Sequence, residues 1–209
     1  MITKKKDYDS TTEFGMGGFK SLPKGGYITR ILQAEEMADR NGNPMVHIAF
    51  DIIDGEYTGY FMNLYQSRKK ASDDPMNVKF PFEGQMWIAV NDWQDPNKTS
   101  RKFKGFCTAL EDSGTEVWDA KGNFLLANLK NAEVGVIFQD VENEFEGKTS
   151  WRAVPWGCRS VSAIESGDYF VPDDKPLPPQ KQNTGFNNFS TPNPNLDSFA
   201  QAEDDLPFN

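Results

Sequence analysis

The chain has 209 residues, 37% of them hydrophobic and 25% charged, with a formal net charge of −9. These values predict one moderate core with part of the chain left outside it, and no apolar run approaches the length of about 18 residues expected of a membrane-spanning helix. The charged start MITKKKDYDSTTEF has no apolar stretch behind it and does not read as a secretory leader, so a cytoplasmic protein without a membrane partner is expected.

Residues 1–24 are polar and Gly-rich and read as an extended lead-in, with Phe14 and Phe19 resting on the core. Tyr27–Glu35 is predicted as the first strand, and Asp39-Arg40-Asn41-Gly42-Asn43-Pro44 as a tight turn. Met45–Ile53 alternates as a second strand: Val46, Ile48, Phe50 and Ile52 point one way, and His47, Ala49 and Asp51 the other. His47, the single histidine, is expected at the surface. Asp54-Gly55 reads as a hairpin turn into a third strand, Glu56–Asn63, with Tyr57 and Phe61 on one face and Tyr60 on the other. Residues 64–98 are irregular, with Gln85–Val90 as an accessory strand.

Thr99–Asp112 is predicted as a helix because Phe103, Phe106, Cys107 and Leu110 fall at i, i+3, i+4 and i+7. Thr99 or Ser100 can cap it, and Gly114 follows its end. A short helical turn is expected within 125–130. Glu133–Glu144 and Thr149–Val161 then form the fourth and fifth strands around a turn at Phe145–Lys148, with Pro155 marking a bulge or edge. The two cysteines, Cys107 and Cys158, are expected as buried free thiols, and with His47 they offer no zinc spacing.

The predicted order is three strands, a helix and two strands, which gives a mainly β fold. A five-stranded Greek-key barrel with one helix between strands 3 and 4 is the OB-fold, a platform for oligonucleotides; a β-sandwich is the alternative. The barrel domain is assigned to 25–170. From Val171 the composition changes: 171–209 holds 7 of the 13 prolines, many Asn and Gln, and isolated apolar residues. Such a segment buries too little surface to offset its ordering entropy and is expected to be a disordered linker with an acidic tip. From Ser166 onward two lysines face seven acidic residues, so this stretch carries −5 of the total charge and the rest of the chain −4.

The last residues are Ala202-Glu203-Asp204-Asp205-Leu206-Pro207-Phe208-Asn209. Here the chain resembles the bacterial single-stranded-DNA-binding proteins, which end in an acidic run, an aliphatic residue, proline and phenylalanine after a linker of this kind. The resemblance implies a partner-docking tip at Asp204, Asp205, Leu206, Pro207 and Phe208. Leu206 and Phe208 would be the apolar anchors and the acids would steer the tip to a basic rim. Asn209 departs from the pattern by displacing the terminal carboxylate from the phenylalanine. The bacterial proteins act as tetramers of OB-folds, so a homo-oligomer is compatible with the resemblance.

Gly26-Tyr27-Ile28, Gly42-Asn43-Pro44-Met45 leading into Val46–Ile52, and Ser166–Pro172 resemble a bacteriophage replication-module family of small OB-like proteins. That resemblance implies a phage single-stranded-DNA-binding protein in the host cytoplasm, with phage or host replication and recombination proteins as partners.

Strand binders combine a basic groove for phosphates with aromatic platforms for bases. Bases and aromatics that meet this requirement are Tyr60, Arg68, Lys69, Lys70, Arg101, Lys102, Lys104, Trp151 and Arg152. The three bases at the start of the predicted helix oppose its macrodipole, which a role in holding phosphate would explain. No nucleotide-binding loop, nucleophile elbow or zinc-protease motif is present, so neither an enzyme nor a cofactor is expected. The expected activity is binding and protecting single-stranded DNA without strong sequence preference. The alternatives are a protein adaptor on the same fold and a metal-dependent nuclease.

Overall fold

Five strands joined in antiparallel ladders form a single sheet in the computed structural model, which describes residues 20–145 and 147–178. They are β1 (Gly25–Ala38), β2 (Pro44–Ile52), β3 (Gln85–Ala89), β4 (Glu133–Phe145) and β5 (Lys148–Arg159), in the order β3-β2-β1-β4-β5. Three helices follow: α1 (Tyr60–Ala71) after β2, α2 (Arg101–Asp112) after β3, and α3 (Val161–Ser166) after β5. The mainly β class, the number of strands and the helix between the third and fourth strands agree with the sequence; the identity of the third strand does not.

Local chemistry accounts for the turns. Between β1 and β2, Asp39 Oδ1 accepts from the backbone N–H groups of Asn41 and Asn43, both at 2.8 Å, while Gly42 takes φ +82°. The five residues from Asp119 to Asn123 repeat this turn with Gly122 at φ +81°. In the β4–β5 hairpin the register shifts between Ile137, paired with Gly157, and Phe138, paired with Pro155. The bulge therefore sits at the proline, which has no N–H to give a ladder.

Three elements differ from the sequence prediction. Residues 56–63 do not form a strand: Asp54-Gly55 opens a turn instead of a hairpin, and α1 begins at Tyr60. Its N-cap, Gly59, has no side chain to offer, so Asp51 caps the helix from β2. Oδ1 of Asp51 accepts from Phe61 N–H at 2.9 Å and Oδ2 from Met62 N–H at 3.2 Å. The third strand is Gln85–Ala89, the stretch read as accessory, and it pairs with β2 from Met45 to Ala49.

His47 is the third difference. It lies on β2 with only 2% exposure, between neighbours that cover both faces of this strand. Its Nδ1 meets Glu35 Oε1 at 2.7 Å and its Nε2 meets Gln85 Oε1 at 2.9 Å, and its ring stacks on Trp87 at 4.7 Å. Burial of this polar group is tolerated because both ring nitrogens have partners.

The core centres on Phe50, Phe61 and Phe138, each fully buried. The Phe61 ring stacks on Phe138 at 6.0 Å and meets Phe50 edge-on at 5.9 Å, which ties α1 to β2 and β4. Phe103, Phe106, Cys107 and Leu110 of α2 are buried at the predicted helical spacing, and Ser100 caps that helix by accepting from Phe103 N–H. Both cysteines are buried free thiols. Helix α3 rests against the sheet where it carries glycine. A Cβ at Gly135 would stand 2.3 Å from Ile164 Cγ1, and one at Gly26 would stand 2.7 Å from Tyr169 Cζ.

No hydrogen-bonded ladder joins β3 to β5 among the described residues, so the sheet stays open at this seam. Side chains bridge it instead. Arg152 Nη1 lies 3.3 Å from Glu83 Oε1, and Cys158 Sγ lies 3.9 Å from Met86 Sδ. Both strands advance in the same sense between these contacts, so β3 and β5 face each other in parallel.

The lead-in is described from Lys20 onward, and Leu22 is already buried in the core; Phe14 and Phe19 lie outside the described residues. At the other end the compact unit runs to Leu177, beyond the expected boundary at 170. Past Phe138 the β4 edge is no longer paired with β1. There Lys175 donates its N–H to Asp140 O and accepts from Glu142 N–H, forming a parallel bridge.

Candidate functional site

A cleft of about 190 Å³ opens between α1 and β5, at the end of the seam where Glu83 and Arg152 meet. Its walls include Tyr60, Leu64 and Arg68 from α1, Trp151 and Arg152 from β5, and Glu83 from the 3₁₀ turn Phe82–Gly84 that leads into β3. It is open to solvent and smaller than the roughly 300–1,000 Å³ typical of small-molecule pockets.

Each side chain reaches the cleft for a local reason. Tyr60 and Arg68 stand eight residues apart, just over two turns of α1, and so share a helix face. The Asp51 cap fixes where that helix starts and hence where Tyr60 stands. Trp151 and Arg152 are successive residues of β5 near the hairpin end, paired with Glu142 and Val141. The Arg152 guanidinium also lies 5.8 Å from the Phe82 ring centroid, and Phe82 stacks on Trp87 at 5.3 Å. Trp151 remains 48% exposed and Phe82 44%. Both residues touch the cleft: the exposed indole can offer a stacking face, and the arginine held by a carboxylate and a ring a fixed cation.

Tyr60 is half-buried, and its ring meets Phe61 at 5.2 Å and Tyr57 at 5.9 Å, both edge-on. Burial pushes its hydroxyl above the ordinary phenol value, against a hydrogen bond with the Leu22 backbone that acts the other way. With Arg68 and Arg152 the cleft offers two cations and one carboxylate, a positive balance within a chain of net charge −9.

The structure brings together four of the nine residues singled out as base- or phosphate-binding: Tyr60, Arg68, Trp151 and Arg152. Lys69 and Lys70 continue the same helix. Lys69 Nζ lies 5.2 Å from the Tyr65 ring centroid, and Lys70 is exposed. Arg101, Lys102 and Lys104 are exposed on α2 and do not line the cleft. Glu83, Leu64 and Phe82 were missed; the adjacent Phe80-Pro81-Phe82-Glu83 run was the available signal. The docking tip, Asp204, Asp205, Leu206, Pro207 and Phe208, lies outside the described residues, as does the expected linker from 179.

A family described as a protein of unknown function (DUF669) matches residues 6–79. That stretch contains β1, β2 and α1, and so Tyr60 and Arg68, but neither Glu83 nor the Trp151–Arg152 pair. No curated protein matches the chain.

Proposed function

We propose that this protein binds single-stranded DNA without strong sequence preference, using the cleft between α1 and β5, and recruits other proteins through its acidic C-terminal tip. The observation that carries the reading is convergence. Tyr60 and Arg68 are more than eighty residues from Trp151 and Arg152 in the chain, yet they line one cleft. Such a cleft supplies the two features a flexible polyanion with flat bases requires: fixed cations for phosphate and exposed ring faces for stacking.

The strand order supports the same reading. β3-β2-β1-β4-β5, with a helix between β3 and β4 and a parallel seam between β3 and β5, is compatible with an OB barrel left open at that seam. The phage replication-module resemblance and the Asp204-Asp205-Leu206-Pro207-Phe208 tip extend the reading to a role in phage replication or recombination. In that role the tip engages phage or host enzymes.

The test is fluorescence anisotropy of a labelled mixed-sequence single strand and of the corresponding duplex. The single strand binds more tightly, and its affinity falls with salt at a log–log slope of about −0.7 for each phosphate neutralised. Equal affinity for strand and duplex overturns the proposal.

A further inference from the structure

Glu83 is at odds with its surroundings. A cleft suited to a polyanion gains nothing for phosphate from a carboxylate, and this one offsets one of the two arginines. Its contact with Arg152 leaves part of it unused. Only Oε1 is engaged, at 3.3 Å from Arg152 Nη1, and among the described residues Oε2 has no hydrogen-bond partner. The side chain retains 23% exposure within the cleft wall. It is held in place from two sides: Arg152 grips Oε1, and the turn behind it is tight. A Cβ at Gly84 would stand 2.7 Å from Phe80 Cε1 and 2.9 Å from Phe61 Cγ, so the residue after Glu83 has no room for a side chain without displacing the core.

An ionised carboxylate accepts hydrogen bonds and cannot donate them. Beside an exposed stacking ring it favours a base that presents an exocyclic amino group. Cytosine offers N4–H₂ at the edge where thymine offers the O4 acceptor. Thymine would bring an oxygen against Oε2 and leave that oxygen without a partner as the cleft loses water, a loss that adds to the missing contact.

We infer that Glu83 makes the α1–β5 cleft a subsite selective for an amino-bearing nucleobase, with cytosine favoured over thymine, through Glu83 Oε2. This inference rests on the proposed single-stranded-DNA binding and adds a base preference to it. One such contact within a longer site biases affinity and leaves binding tolerant of sequence elsewhere.

The experiment compares homopolymeric deoxycytidine and deoxythymidine strands of equal length by anisotropy, at fixed salt, with the full-length protein. The two pyrimidines match in size and charge, so the comparison isolates the amino edge. The deoxycytidine strand binds tighter by about tenfold to a hundredfold, the value of one hydrogen bond to a charged group. Glu83→Gln, which can donate as well as accept, brings the ratio close to one, chiefly by raising deoxythymidine affinity. A deoxycytidine strand with N4 dimethylated loses the advantage on the unaltered protein, so the test does not depend on the variant folding. Equal affinity of the protein for both strands, or a ratio that Glu83→Gln and dimethylation leave unchanged, overturns the inference while DNA binding stands. Failure to bind either strand, or a mixed sequence, overturns the underlying reading instead.

Discussion

In the proposed binding mode Trp151 and Arg68 do different physical work, and salt separates them. Stacking on an indole releases few ions, so Trp151→Ala weakens single-strand binding by about 1–3 kcal/mol and leaves the salt slope near that of the unaltered protein. Arg68→Ala removes a phosphate contact and flattens the slope by about 0.7. Titrations at three salt concentrations distinguish the two; a flattened slope in Trp151→Ala would assign that residue another role. The cysteines and Tyr27 make a second prediction. Burial pushes the Cys107 thiol up to about 11, and Cys158 and the Tyr27 hydroxyl up to about 12. In the unfolded chain the thiols ionise near 9.0 and the phenol near 10.0. The unfolded state therefore loses protons first, and the stability that these groups contribute below pH 9 is lost as pH rises towards 12. The melting temperature falls across that window, and a thiol reagent at pH 8 labels neither cysteine until denaturant is added. Immediate labelling of the native protein would contradict their burial.

At the scale of elements, α1 is where local and tertiary signals part. Tyr57 and Phe61 are four apart, and with Tyr60 between them the short run fits alternation as readily as a helical face. The decisive contribution is not local: the helix start is capped by Asp51, ten residues before Phe61, because Gly59 has no side chain to do it. By contrast α2 and the β4–β5 hairpin were legible because their signals are local: apolar spacing with a Ser100 cap for the first, and alternation with a proline at the bulge for the second. The same division runs through the site. Tyr60, Arg68, Trp151 and Arg152 stand out as aromatics beside bases, whereas Glu83 does not, since an acid is not sought in an anion-binding cleft. Nor does sequence show that the α2 bases are absent from the lining of that cleft. Asp51→Ala tests the cap. Loss of an N-cap costs about 0.5–2 kcal/mol, so calorimetry shows a lower melting temperature. Single-strand affinity falls too, because Tyr60 and Arg68 ride on α1. Asp51→Asn keeps an acceptor and recovers part of the loss; unaltered stability in Asp51→Ala would remove this account of why α1 forms.

For the molecule as a whole, the distribution of charge sets a limit on where the tail can be cut. On the proposed reading the C-terminal acids would compete with DNA for the cleft cations, as a tethered anion at high effective concentration. Composition places the boundary near 171, but Pro172 is buried and Lys175 bridges β4. Removal of everything after Pro178 therefore leaves the melting temperature unchanged and raises single-strand affinity, most at low salt. Removal from Asp173 onward also strips the β4 edge and lowers the melting temperature. If both truncations melt alike, the Lys175 bridge adds nothing to stability. The central claim, that the α1–β5 cleft holds the strand, is tested most directly by photocrosslinking. A mixed-sequence single strand carrying 5-iododeoxycytidine is irradiated with the full-length protein, and the adducts are mapped by mass spectrometry. The account predicts adducts on Trp151 and Tyr60 that are lost when unlabelled single strand competes; adducts confined to α2 or to the 88%-exposed Trp93 of the loop before it would contradict the account.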